Sequence, residues 1–348
     1  MPFGSGVCPS EWAFAFRSVS LPSNIFPPGA GIFLPRKTVK KNYIGHLLLT
    51  VNEFYKSLFN AKTYKLSLSS GCTCPTRDGT KGVGGCIFCS ATGSGDFTPS
   101  TKLDIQNQIV AAKELLAPKL KHSDKIKYIP YFQSFTSTYG DLEKLQVQWE
   151  EALTCPDVVG LAIATRPDCL SDSCLEVLGK LAERTFLQIE LGLQTSNNKT
   201  ADYIHRGFET QVYEDAVARI RQANPKIHIV THLIFGLPGE NKDDMMNSVR
   251  EVVKTASDGI KITCLYVLKN TELAKDFEAG KFKPLEMQEY FDLVSQALKI
   301  IPQSMVIHRL TGDPPKSEII EPRWTMNKKL VINRVREVME ASENCRSC

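Results

Sequence analysis

No run of apolar residues in this 348-residue chain approaches the roughly 20 needed to cross a membrane. The longest in its first half, around Ile44 to Val51, is far shorter. Net charge is scarce as well: 42 Lys and Arg against 38 Asp and Glu leave +4. That is too mild to demand a nucleic-acid partner without a clustered basic face, so RNA binding is permitted but not implied. Nothing resembles a secretory signal peptide, and there is no internal repeat or low-complexity tract, which argues against secreted, solenoid and fibrous classes. The expectation is a soluble, cytoplasmic globular protein, 42% hydrophobic and 23% charged, long enough for one α/β barrel with a sizeable core.

Acids are rare at the start. Residues 1 to about 40 hold a single one, Glu11, beside Arg17, Arg36 and Lys37. Organelle-targeting segments share that balance, but the prolines here oppose an amphipathic helix, so residues 1–42 read as a disordered extension.

From residue 64 onward short β-type runs alternate with helical spacing, the pattern of βα units on a parallel sheet. The predicted strands are Tyr64–Leu68, Ile126–Phe132, Val158–Thr165, Phe186–Gly192, His228–Phe235, Ile260–Leu268 and Met305–Leu310. Between them, spacings of three and four (Ile105, Ile109, Ala112, Leu116; Leu142, Leu145, Trp149, Leu153; Leu175, Leu178, Leu181) predict helices packed on the sheet. Pro284 opens another through Ile301, and Thr325 is the expected cap of a last one. Residues 43–271 form the expected core, and 272–348 a small C-terminal α/β extension. Periodicity alone does not choose between an open doubly wound sheet and a partial or complete barrel.

The chemistry-bearing residues fall just after strands, and in parallel α/β folds those ends share the face that carries the active site. Eleven cysteines are present, four of them between 72 and 89. Cys74, Cys86 and Cys89, joined by a glycine-rich stretch, can wrap three thiolates around a metal centre. Zinc would need a closed shell, with Cys72 as a fourth ligand, whereas three cysteines on an iron–sulfur cluster leave one iron open. Spacing leaves the two nearly level.

The run Cys74-Pro75-Thr76-Arg77-Asp78-Gly79-Thr80-Lys81-Gly82-Val83-Gly84-Gly85-Cys86-Ile87-Phe88-Cys89 resembles the cluster loop of the YhcC-like radical SAM proteins. These are relatives of the elongator catalytic subunit and of the oxygen-independent coproporphyrinogen dehydrogenases. The resemblance continues through Tyr131–Ser134, Thr165–Cys169, Glu190–Thr195, His232–Glu240 and Asp258–Lys261, covering about residues 43 to 335.

The resemblance implies a partial TIM-type (β/α)6 barrel whose [4Fe–4S] cluster is held by Cys74, Cys86 and Cys89, the open iron chelating the amino and carboxylate groups of S-adenosylmethionine. One electron, from a donor such as flavodoxin or ferredoxin, would release a 5′-deoxyadenosyl radical that takes hydrogen from an unidentified substrate, RNA among the candidates. Phe88 would then lie against the adenine. Gln133 and Ser134 stand where many members carry a Gly-Gly-Glu motif, absent here. Glu190 and Gln194 become candidate polar contacts to the bound cofactor, with Gly236 and Gly239 approaching its adenosine.

Plainer readings stand beside these. Cys72 reads as a spectator. Cys155, Cys169, Cys174 and Cys264 read as small buried hydrophobes. The Cys345–Cys348 pair lies at a tail. His232 reads as a core histidine, His308 and Arg309 as near the pocket mouth, and Arg166 with Asp168 as an ion pair. The basic run Arg323, Lys328, Lys329, Arg334 and Arg336 reads as a solvated face. No acetyltransferase, TRAM-like or cobalamin domain and no second three-cysteine set is recognisable. The alternative function is a zinc- or cluster-stabilised binding protein without turnover.

Overall fold

The computed structural model describes residues 48–93, 95, 97–120, 125–313 and 315–347. The expectations for residues 1–42 and for Cys348 lie outside them. Nine strands are present among the described residues: β1 (Lys62–Leu68), β2 (Ile126–Phe132), β3 (Gly160–Thr165), β4 (Phe186–Gln194), β5 (His228–Phe235), β6 (Gly259–Cys264), β7 (Val267–Leu268), β8 (Val306–Arg309) and β9 (Ile319–Glu321). Helices α1 (Val51–Phe59), α2 (Ile105–Leu116), α3 (Leu142–Thr154), α4 (Asp172–Arg184), α5 (Asn198–Tyr203) and α6 (Thr210–Ala223) are followed by α7 (Lys242–Lys254), α8 (Glu272–Glu278), α9 (Met287–Ile300) and α10 (Lys328–Ser347).

Strands β1 to β6 and then β8 pair in parallel, each beside the next, in one seven-stranded sheet curled into a half-barrel. Its outward side chains are apolar: Leu66 and Leu68, Leu161 and Ile163, Leu187 to Leu193 on alternate positions, and Ile260 with Ile262. They pack against Ile109, Trp149, Leu178, Tyr213, Val249 and Phe291 from the helices, all at most 2% exposed. This layer carries most of the apolar burial, at about 25 cal/mol per Å² removed from water. Side-chain caps start the helices, with Asp104, Asp141, Ser171 and Asn241 each accepting from a first-turn N–H.

The inward face of the sheet is closed at its N-terminal end by α1, a helix absent from the sequence expectation. Thr50 and Glu53 form a capping box. Phe54 stacks on His228 with ring centres 4.7 Å apart, and the Tyr55 hydroxyl donates to Gln188 at 2.8 Å. Residue Thr50 also bridges to Ile307 of the last strand. A small apolar plug of Leu49, Phe54, Tyr55, Ile129, Ala162 and Val306 results.

Three expectations shift. The run Ile260–Leu268 is two strands, because the chain leaves the sheet after Cys264 and β7 pairs antiparallel with β9. Val158 and Val159 only bridge to Tyr128, so β3 begins at Gly160. Thr325 does not cap α10: it sits in a preceding turn with its hydroxyl donating to Pro322, and Asn327 instead accepts from the Leu330 N–H.

Candidate active site

The loop after β1 is built around its cysteines. Asp78 and Val83 pair across a small hairpin, and Gly85 donates to the Thr76 carbonyl at 2.9 Å. Gly85 has φ +87, and a Cβ there would stand 2.8 Å from the Arg77 side chain, so glycine is required on both counts. Ile87, in the turn between the last two cysteines, clips the loop down, its N–H donating to the Ile204 carbonyl and its own carbonyl accepting from the Leu273 N–H. Arg77 ties the far end by donating to the carbonyls of Cys89 and Ser90, over the ring of Phe135 at 5.2 Å.

Cys74, Cys86 and Cys89 are half-buried thiols outside any disulfide, and Cys86 is close enough to the other two to feel their charge as thiolates. Burial pushes the Cys86 thiol up to about 12, with Cys89 and Cys74 adding to the rise and Arg166 and Arg77 opposing it. Arg166 is the expected ion pair: a two-pronged contact to Asp168 at 2.9 Å on both oxygens, while Lys81 of the loop reaches the same carboxylate at 2.7 Å. Burial works against its charge, yet Asp168 and the nearby thiols hold Arg166 above its ordinary value. Arg206, missed in the sequence, is 1% exposed and donates to the carbonyls of Leu193, Thr195 and Phe208, fixing the end of β4; its own carbonyl receives Arg166 at 2.7 Å. Only a buried guanidinium with five donors could do this, and a lone Arg in a loop gives no sequence signal.

The remaining candidates occupy the same end of the sheet. Phe88 packs with Ile234 and Leu237 in an apolar cluster above the strands. Ser134 is 3% exposed, and a Cβ on Gly95 would meet its hydroxyl at 2.6 Å, so the segment after Cys89 lies directly over it. The Gln133 N–H donates to the Leu68 carbonyl at 3.2 Å. Gln194, at φ +62, folds its amide back over Gly192. Leu285 fills the space a side chain on Gly236 would take, whereas nothing lies near Gly239.

Glu190 lies deeper, on the inward face. It is fully buried and accepts from Lys65, Lys261, Gln188, Tyr131 at 2.5 Å and His232 at 2.7 Å. Although burial favours its neutral form, Lys261 and Lys65 hold its carboxyl well below the ordinary range. Burial lowers Lys261 to about 7 and His232 to about 4. His232 is thus hydrogen-bonded as a core histidine would be. His308 lies lower still, its Nε2 2.9 Å from that of His228 and its ring across from Tyr55, rather than at the mouth. Of the basic run, Arg323 precedes α10 and pairs with Glu321, and on the helix Lys328 pairs with Asp313 and Arg334 with Glu337.

The donor set suits an iron–sulfur cluster. Three soft thiolates on one loop, bracketed by two guanidiniums, can hold the corners of a cubane, whose ligand sulfurs stand farther apart than those around a single ion. Among the described residues no three His, Cys, Asp or Glu side chains converge on a single metal ion. Cys72 turns away from the other three, its sulfur 3.1 Å from where a Gly140 side chain would begin and its thiol raised by burial in the apolar layer. Cys169, taken as a plain hydrophobe, is near enough to Cys74 to feel its charge.

Comparison with known proteins agrees with this construction. The Radical SAM superfamily domain matches residues 79–252 and the radical SAM C-terminal domain residues 257–341. The uncharacterised protein YtqA of Bacillus subtilis is 41% identical over 291 residues, 84% of this chain and 89% of YtqA. Protein YhcC of Escherichia coli is 33% identical over 272 residues, 78% of this chain and 85% of YhcC. Among solved structures, the Elp3 protein of the archaeon Methanocaldococcus infernus superposes with a TM-score of 0.58 at 21% identity, over 80% of this chain and 63% of that one, a likeness of fold. The chain belongs to the radical SAM superfamily with YtqA and YhcC, and is an enzyme that uses a [4Fe–4S] cluster and S-adenosylmethionine.

Proposed function

We propose that this enzyme holds its cluster on Cys74, Cys86 and Cys89, cleaves S-adenosylmethionine reductively, and takes a hydrogen atom from a substrate in the mouth of the half-barrel. The observation that carries the reading is that three half-buried thiols, beside Arg77 and Arg166, share one loop at the C-terminal end of a parallel sheet. When bound, the cluster supplies the electron that splits the C5′–S bond, giving methionine and a 5′-deoxyadenosyl radical.

The chain's own residues position and shield. Arg77 and Arg166 offset the charge of three thiolates that burial would otherwise disfavour. Phe88, with Ile234 and Leu237, offers an apolar wall for the adenine and keeps water from it. Gly239, with open space above its Cα, leaves room for the adenosine, and Gly236 continues that turn. Gln133 and Gln194 at the ends of β2 and β4, with the buried Ser134 beneath the segment after Cys89, take the place of the missing Gly-Gly-Glu motif. Glu190, with donors on both oxygens, acts through the two lysines it holds. Electrons come from a small one-electron donor protein such as flavodoxin or ferredoxin.

Protein purified without oxygen should be brown, bleach with dithionite and release 5′-deoxyadenosine from S-adenosylmethionine. Cys86→Ala should abolish both signals and Cys72→Ala neither. Colourless protein with one bound zinc and no cleavage product refutes the reading. Mass spectrometry of tRNA and small metabolites from cells lacking the protein addresses the substrate.

A further inference from the structure

The inner face of the half-barrel forms a bowl. Its base is sealed: Ile129, Ala162 and Gln188 have no exposure, and α1 plugs the end below them. Its upper wall is half-exposed and made of small or neutral groups, Ser67, Ala164, Gly192, Ile234 and Thr263. Between the two lies a charged floor. Lys65, Lys261 and His232 keep 19%, 11% and 30% of their side-chain surface, so solvent reaches them from above while Glu190 keeps none.

The charges on that floor do not balance. Lys65 and Lys261 share the one carboxylate of Glu190. His232 is neutral at physiological pH, and Tyr131 brings no charge: its hydroxyl donates to Glu190 and accepts from Lys261 at 3.4 Å, and both ammonium groups lie over its ring. Arg309, the register partner of Lys261, shares Asp313 with Lys328 and so leaves no negative charge for the floor. Among the described residues the two lysines have one carboxylate between them, and burial answers the shortfall by lowering Lys261 to about 7, so that it is only partly protonated at neutral pH. A floor of two amines sharing one carboxylate beneath an open top is the shape of an anion receptor: an anion supplied from outside completes the protonation.

Depth separates this floor from the cysteine loop. Lys65, His232 and Lys261 each precede the end of their strand by three residues, about 10 Å at the rise of a strand. Because the bowl is closed below, a continuous polymer cannot thread through it, and what reaches the floor is the end of a small molecule or a pendant group.

We propose that Lys65 and Lys261 receive a terminal anionic group, carboxylate or phosphate, of a small substrate whose reacting carbon lies toward the cysteine loop. This deepens the function proposed above and rests on the mouth of the half-barrel being where the substrate reacts. Glu190, Tyr131 and His232 are positioning residues that hold the two ammonium groups in place.

The test uses the full chain with inorganic phosphate and with acetate as probes, each against chloride at equal ionic strength, reading the melting midpoint and titration calorimetry. At least one probe should bind saturably, and Lys65→Met or Lys261→Met should weaken it at least tenfold. Lys180→Met, which alters an exposed pair with Glu176, should leave it unchanged. Should Lys261→Met fold poorly by circular dichroism, Lys261→Gln and Lys65→Met carry the comparison. Absence of saturable binding, or equal binding by the lysine variants, overturns the assignment. So does displacement of the probe by S-adenosylmethionine with a matching loss of its affinity in the variants, since the floor would then serve the cofactor's carboxylate. The anion measurement needs no cluster turnover, whereas 5′-deoxyadenosine release needs no anion, so either reading can fail alone.

Discussion

Glu190→Gln keeps the shape of the side chain and removes the charge that two lysines share. With no carboxylate beneath them, both ammonium groups face a buried floor and the cheaper course is to lose protons. Holding one lysine neutral at pH 7 against its ordinary 10.5 costs about 1.36 kcal/mol per pH unit, or about 5 kcal/mol, which caps the loss per lysine. Lys261, already at about 7 through burial, has little further to fall, so the added loss comes chiefly from Lys65. The expected destabilisation at pH 7 is about 3 to 5 kcal/mol, in line with other broken buried pairs. The sign fixes the pH dependence. A lysine lowered in the folded state binds fewer protons there than in the unfolded chain, so stability rises with pH between the folded value and 10.5. The variant lowers both lysines further, so its deficit against the parent is largest at pH 7 and below and shrinks toward pH 10. Urea unfolding of both proteins at pH 7 and pH 10 measures this. A deficit under about 1 kcal/mol at pH 7, or one that does not shrink on going to pH 10, refutes the claim that Glu190 is the shared counter-charge.

Gly85→Ala places a methyl group against Arg77 at positive φ; iron retained after anaerobic gel filtration should fall severalfold while the overall melting midpoint moves little. Arg166→Lys loses the two-pronged hold on Asp168, and iron loss to a chelator should quicken severalfold because an ammonium cannot span both oxygens. Thr50→Ala breaks the capping box of α1 and should cost about 1 kcal/mol by urea unfolding, with 5′-deoxyadenosine formation unchanged.

The outward half of this fold is legible in the sequence because it repeats. β2 and β5 coincide with their predicted ranges, since their outward residues are mostly apolar, Thr231 apart, and turns bound them sharply. Helix α1 escaped notice although Thr50, Glu53 and the spacing of Val51, Phe54, Tyr55, Leu58 and Phe59 spell a capped amphipathic helix. Its partners are rings inside the barrel rather than the outer layer, so it breaks the alternation of strand and helix that guided the reading. The loops after the strands were found because parallel topology brings their ends together whatever the details.

The charged floor was invisible for a different reason. Lys65, Tyr131, Glu190, His232 and Lys261 come from five strands, and each is one polar residue among others in its own β-type run. Read one strand at a time, each is an ordinary side chain on the polar side of an alternating strand. They become a site only when curling of the sheet turns that side inward and α1 seals the bottom, so that what would face water in a flat sheet faces other charges instead. Glu190 shows the consequence. Its place in the Glu190–Thr195 motif suggests contact with a ligand, yet five donors already occupy it. A saturated carboxylate at the centre of a barrel has exhausted its own capacity to recognise anything. What it leaves available is the excess of its partners, and that excess is cationic, exposed on the upper side only, and three residues below the strand ends above which the thiols lie.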